Sequence, residues 1–142
     1  MIRIALAFSL FLVAFAGFAS AREEKTASPG KDRVFEMRTY HANEGKLEAL
    51  NKRFRDHTCE LFKKHGMELI GFWTPREEKD GKADTLVYIL AYPSREAAKK
   101  SWEAFNADPV WQKVKEESHK DGVIVKKVES VFLDPTDYSL IK

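Results

Sequence analysis

The chain has 142 residues, one domain's worth and long enough to bury a core. A hydrophobic content of 44% and a charged content of 32% are those of a globular protein. The formal net charge is +2, with bases interleaved among acids, which excludes a phosphate-binding stripe and an acidic solvated tail and so argues against a nucleic-acid partner.

The first residues read as a targeting segment. Arg3 supplies a short positive region, residues 4–18 are an apolar run, and Ala19-Ser20-Ala21 fits a small-x-small cleavage site ahead of Arg22-Glu23-Glu24-Lys25. The apolar run is shorter than the roughly 20 residues of a spanning helix. Residues 1–21 are therefore expected to be a cleaved signal peptide, leaving an exported, periplasmic or secreted chain with no membrane span. Residues 22–32, with Ser28, Pro29 and Gly30, are expected to be a linker to a domain over 33–139. Cys59 is the single cysteine, so no intramolecular disulfide is available and the fold must stand on packing.

The first strand is expected over 34–41. Val34, Glu36, Arg38 and Tyr40 share one face, and Phe35, Met37 and Thr39 share the other, because strand side chains alternate. The apolar face is expected to be core. A helix follows over 46–65, with Leu47, Leu50, Phe54, Leu61 and Phe62 on one stripe and Gly66 as its terminator. A second strand is expected over 67–74, with Leu69 and Trp73 opposing Ile70 and Phe72. The charged loop after Pro75 carries Asp80-Gly81 and leads into a third strand over 84–92. Ser94 is a credible cap for a helix with Ala98, Trp102 and Phe105 on its inner side. Pro109 opens a second short helix whose apolar positions are Val110, Trp111 and Val114, and a last strand is expected over 123–133.

This order, β-α-β-β-α-β, predicts an α+β, ferredoxin-like fold with both helices on one side of an antiparallel sheet. The strands are nevertheless apolar on both faces. A bare apolar sheet face is larger than a monomer usually exposes, so a homodimer with two sheets packed face to face is expected.

The run Phe35-Glu36-Met37-Arg38-Thr39-Tyr40, then Gly45-Lys46-Leu47 and Phe54, resembles the opening of a NIPSNAP domain. Gly71-Phe72-Trp73, the stretch from Tyr88 through Pro93-Ser94-Arg95 to Trp102 and Phe105, Asp108-Pro109-Val110-Trp111, and Leu133-Asp134-Pro135 continue the resemblance to residue 139. It implies a dimeric α+β barrel, similar in fold to antibiotic-biosynthesis-type monooxygenases and haem-degrading oxygenases. Animal members are associated with mitochondrial signalling and vesicle traffic; this chain differs in being short, single-domain and expected to be exported.

Five residues are candidates for ligand binding. Glu36, Arg38 and Tyr40 put an acid, a planar cationic fork and a phenol on one strand face, which suits either a polar or anionic ligand or an ion pair tying the structure together. His57 falls at the edge of the helix's apolar stripe, where a histidine serves as a proton carrier, a haem ligand or a hydrogen-bonded boundary residue. Trp73 ends a strand at the mouth of the expected cavity. His65 suits the helix dipole in the last turn, and His41 and His119 stand alone in turns. No metal-ligand spacing, phosphate loop or nucleophile elbow occurs, so no cofactor and no metal are expected. The leading functional expectation is a homodimeric small-ligand-binding or interaction module. The alternative is an oxygenase-like enzyme with His57 or Tyr40 as proton carrier.

Overall fold

The structure, a computed structural model, describes residues 33–142. The expected signal peptide and linker, 1–32, lie outside the described residues. Four strands, β1 (Val34–Ala42), β2 (Glu68–Trp73), β3 (Thr85–Tyr92) and β4 (Val125–Leu133), form one antiparallel sheet in the order β2-β3-β1-β4. Helices α1 (Leu47–Arg53), α2 (Cys59–Lys64), α3 (Arg95–Ala107) and α4 (Pro109–Ser118) supply the crossovers. This is the α+β, ferredoxin-like arrangement, and the sheet is open: β2 and β4 are its edges.

Local chemistry sets the joints. Gly66, at φ 74°, ends α2, and the Met67 amide reaches back to the Phe62 carbonyl at 3.0 Å, as a left-handed C-terminal cap requires. The Ser94 hydroxyl accepts from the Ala97 amide at 3.1 Å and starts α3. Asp108 caps α4 through the Val110 amide at 2.8 Å, with Pro109 in the first turn. Its second oxygen holds Lys64 Nζ and His65 Nε2, both at 2.7 Å, so the start of α4 is tied to the end of α2. These contacts hold the Asp108 carboxyl well below the usual carboxylate range, Lys64 contributing most, then His65 and the Val110 amide.

Three expectations about facing are corrected. The Glu36, Arg38 and Tyr40 face of β1, not the Phe35 and Met37 face, turns toward the helices. Tyr40 packs edge-on against Phe54 and Tyr88, and Glu36 is completely buried. In β2 a bulge between Leu69 and Gly71 shifts the register, so Leu69 and Phe72 both face the helices while Trp73 pairs with Val87 on the open face. Trp73 is thus 52% exposed and its indole lies over Gly71, where an added Cβ would meet the ring at 2.5 Å. The third correction concerns the first long helix. Between α1 and α2, Phe54–Thr58 forms a π-turn, with the Cys59 amide bonding to the Phe54 carbonyl. Arg53 and Phe54 point inward with Leu50 as the turn begins, and its extra residue turns Thr58 inward and leaves Arg55, Asp56 and His57 exposed in succession.

The core lies between sheet and helices, built on Leu50, Phe54, Phe62, Tyr88, Leu90 and Phe105. Val110, expected among the inner positions of α4, is half exposed, while Val114 is buried. On the opposite side of the sheet, the C-terminal residues from Leu133 onward cover Phe35 and Ile89 in part, over a shallow apolar depression of about 290 Å³. Val131 and Trp73 on the same face stay about half exposed.

Candidate functional site

The centre of the helix-side face is Glu36. Its Oε1 accepts from Arg38 Nη1 at 2.7 Å and Ser130 Oγ at 2.6 Å; its Oε2 accepts from Tyr92 Oη at 2.8 Å and Trp102 Nε1 at 2.6 Å. Burial works to raise this carboxyl, but the bonds from Ser130, Trp102 and Tyr92 and the charge of Arg38 carry it below its ordinary value. Both oxygens are saturated from within the chain. Tyr92 feels the reverse: burial, then the Glu36 charge, pushes its phenol far up, so it stays a donor.

Arg38 is bound to Glu36 by one nitrogen only. Its guanidinium lies 4.2 Å from the Trp102 ring centroid and 5.7 Å from that of Tyr40, and its buried Nε has no partner among the described residues. Burial works against its charge, but Tyr40, Tyr88 and Glu36 outweigh that and raise its affinity for the proton.

Arg38 and Tyr40 open onto a cleft of about 520 Å³ between the helices and the β1/β4 side of the sheet. The size is ordinary for a small-molecule site. Arg53, the last residue of α1 and three residues after the buried Leu50, also lines the cleft. Arg53 is only 6% exposed; its Nη1 donates to Ser118 Oγ at 3.1 Å, its guanidinium sits 5.3 Å from the Trp111 centroid, and among the described residues its Nε has no partner. Among the described residues it makes no ion pair. Burial lowers its pKa, opposed only in part by Tyr40 and Tyr88.

The wall joining the two arginines is aromatic. Trp102 and Phe105 meet at right angles with centroids 5.6 Å apart, and Phe105 and Trp111 lie tilted at 4.5 Å. Val123, Val125 and Val128 line the opposite side, with Lys115 and His119 at the rim. Burial, then Arg53 and Lys115, pushes His119 below the ordinary histidine value.

The candidates read from sequence therefore separate. Arg38 and Tyr40 line the cleft, and Glu36 lies behind Arg38 as its buried counter-charge. His57 borders a different, outward groove with Lys52, Asp56 and Glu117, and Trp73 is on the open face of the sheet. Arg53, Lys115 and His119 are charged or titratable cleft residues that sequence reading did not single out. Arg53 did carry a signal: a cation three residues after Leu50 and next to Phe54 interrupts the helix's apolar stripe. Cys59 is half-buried, and burial raises its thiol pKa, which does not favour a nucleophile. Among the described residues no group of histidine, cysteine and carboxylate side chains is placed to hold a metal, and no helix is long and apolar enough to cross a membrane.

Fold and site together define an α+β protein of ferredoxin-like topology with a basic, aromatic-walled cleft beneath its helices. Solved structures of the same architecture include a NIPSNAP family protein of unknown function from Agrobacterium tumefaciens. It is 24% identical, with a TM-score of 0.67 over 78% of this chain and 95% of that one. An uncharacterised NIPSNAP domain protein from Burkholderia xenovorans is 27% identical, with a TM-score of 0.63 over 75% of this chain and 97% of that one. A second Agrobacterium tumefaciens NIPSNAP protein, 21% identical, reaches a TM-score of 0.68 over 78% and 99%. Among curated proteins none matches. The sequence pattern of the NIPSNAP family matches residues 35–140, and the chain belongs to that family.

Proposed function

We propose that this NIPSNAP-family chain is an exported, homodimeric binding module whose helix-covered cleft holds a small organic ligand. The observation that carries the reading is Arg53: a buried guanidinium with no acid among the described residues to balance it, lining a roomy cleft. Leaving such a charge unpaired in a core is costly, and a ligand anion supplies the missing partner. The dimer rests on the apolar side of the sheet, where Trp73 and Val131 are about half exposed and Met37 and Ile89 lie between them. A second copy covers that face without obstructing the cleft, which opens on the other side of the sheet. Native mass spectrometry of the purified chain tests both parts. The reading expects a dimer carrying bound small molecules; a monomer without any overturns it.

The oxygenase-like alternative has narrower support. Of its two proton carriers, Tyr40 lines the cleft and His57 borders another groove. Single-turnover assays with a quinol under oxygen distinguish the readings: product formation that Tyr40→Phe abolishes favours the enzyme.

A further inference from the structure

The inference below rests on the binding-module reading and narrows its ligand. The cleft has three kinds of wall, and each constrains what fits. Two guanidinium groups line it, Arg38 from β1 and Arg53 from the last residue of α1, and among the described residues each has a buried Nε with no hydrogen-bond partner. The phenols of Tyr40 and Tyr88 lie within electrostatic reach of both arginines. A guanidinium edge offers parallel N–H donors, the geometry that a carboxylate accepts in bidentate fashion.

The charge balance favours a monoanion. Glu36 already neutralises Arg38, with its oxygens fully occupied. Lys115 stands exposed at the rim, where solvent screens it. Among the described residues one buried positive charge, Arg53, remains uncompensated. A single carboxylate matches it, whereas a phosphate dianion brings an excess negative charge into the interior.

The side walls favour a flat, apolar body. Trp102, Phe105 and Trp111 form a continuous aromatic surface on one side. Facing it are Val125 and Val128 of β4, and Val123 just before that strand; Val123 is 56% and Val128 39% exposed into the cleft. Exposed valines have no structural task there, but they complete a slot with one aromatic and one aliphatic side. A planar ring fills such a slot by stacking and by excluding water, with little rotamer entropy to lose.

We infer that the cleft binds a planar aromatic carboxylate, its carboxylate seated between Arg53 and Arg38 and its ring between the Trp102–Trp111 wall and the valines of the β4 side. The test is a calorimetric titration of the full chain with 2-naphthoate, 2-naphthamide, octanoate and inorganic phosphate. The expected result is binding of 2-naphthoate at least tenfold tighter than any of the other three. Arg53→Met is expected to remove that preference over the amide. Because this change alters a buried position, Val128→Trp provides the second variant: it lies at an exposed place on an edge strand, keeps the fold, and fills the slot, so 2-naphthoate affinity falls at least tenfold. Equal affinity for octanoate or for the amide overturns the aromatic-acid assignment and leaves the binding-module reading standing. Tight 2-naphthoate binding that Val128→Trp does not change overturns the location. Failure of all four probes to bind overturns the assignment, and absence of any co-purified molecule from the cleft then removes the binding-module reading as well.

Discussion

Replacing Glu36 with glutamine is the sharpest perturbation of the scaffold behind the cleft. The side chain is 2% exposed and its two oxygens accept four hydrogen bonds, from Arg38, Ser130, Tyr92 and Trp102. Glutamine keeps the shape but turns one acceptor into a donor. Whichever way the amide is oriented, it confronts two groups that already donate. Each buried donor left unpaired costs about 1–3 kcal/mol, and Arg38 loses its counter-charge as well. Breaking a buried pair in this manner costs about 3–5 kcal/mol. Arg38→Met removes a single charge-assisted bond of about 1.5–3 kcal/mol and keeps the packing of the stem against Trp102. Glu36 then retains three neutral donors, so the smaller loss is expected here. The double variant is expected to be less unstable than the sum of the two, by a coupling of at least about 1 kcal/mol. Urea unfolding followed by far-ultraviolet circular dichroism measures all four corners of the cycle, provided the m-values agree. Additive losses, or a Glu36→Gln protein within about 0.5 kcal/mol of the parent, would refute the view of Glu36 as the buried centre of this network.

Trp111→Ala is expected to cost about 1–3 kcal/mol, less than the 3–5 of a fully buried aromatic, because one side of the ring faces the cleft; a loss above about 4 kcal/mol in urea unfolding places Trp111 wholly in the core. Acid stability follows from Glu36 and Asp108, both depressed on folding from ordinary values of 4.5 and 3.8. Their stabilisation is complete above those values and is lost as pH falls through the lower folded ones, since the unfolded chain takes up protons first. Unfolding midpoints measured from pH 6 downward are expected to fall below about pH 4.5, less steeply for Asp108→Asn; an identical pH slope in that variant contradicts the account. His119 has the opposite charge type and a lowered folded pKa, so protons favour the unfolded chain as pH falls below 6.5. An anion in the cleft opposes Arg53 and Lys115 and reverses that bias, so 2-naphthoate affinity is expected to rise between pH 7.5 and 6, and His119→Gln is expected to flatten the rise in titrations across that range.

The element order was legible because each joint carries local chemistry: Gly66 after an apolar helix stripe, Ser94 before another, Asp108-Pro109 between two short helices. What sequence periodicity could not provide was the inward direction of β1. The apolar Phe35 and Met37 face was the one expected to be core, because burying an acid, a base and a phenol is favourable only when donors are waiting. Here they come from Tyr92, Trp102 and Ser130, which are 56, 66 and 94 residues away from Glu36 in the chain. The β2 bulge and the π-turn are similar cases. Each inserts one residue into a regular period, so Trp73 and His57 were assigned by a count that the backbone does not keep. The cleft was half legible: Arg38 and Tyr40 were singled out, whereas Arg53, a cation on the helix's own apolar stripe beside Leu50 and Phe54, was passed over.

The central claim is that Arg53 awaits a negative charge that enters with a ligand. A crystal structure of the chain as purified, without added ligand, tests it most directly. The account predicts non-protein density between the Trp102–Trp111 wall and Val128, ending in an acidic group within hydrogen-bonding distance of Arg53. A cleft closed by side chains, with Arg53 paired to a carboxylate of a second copy, would contradict it.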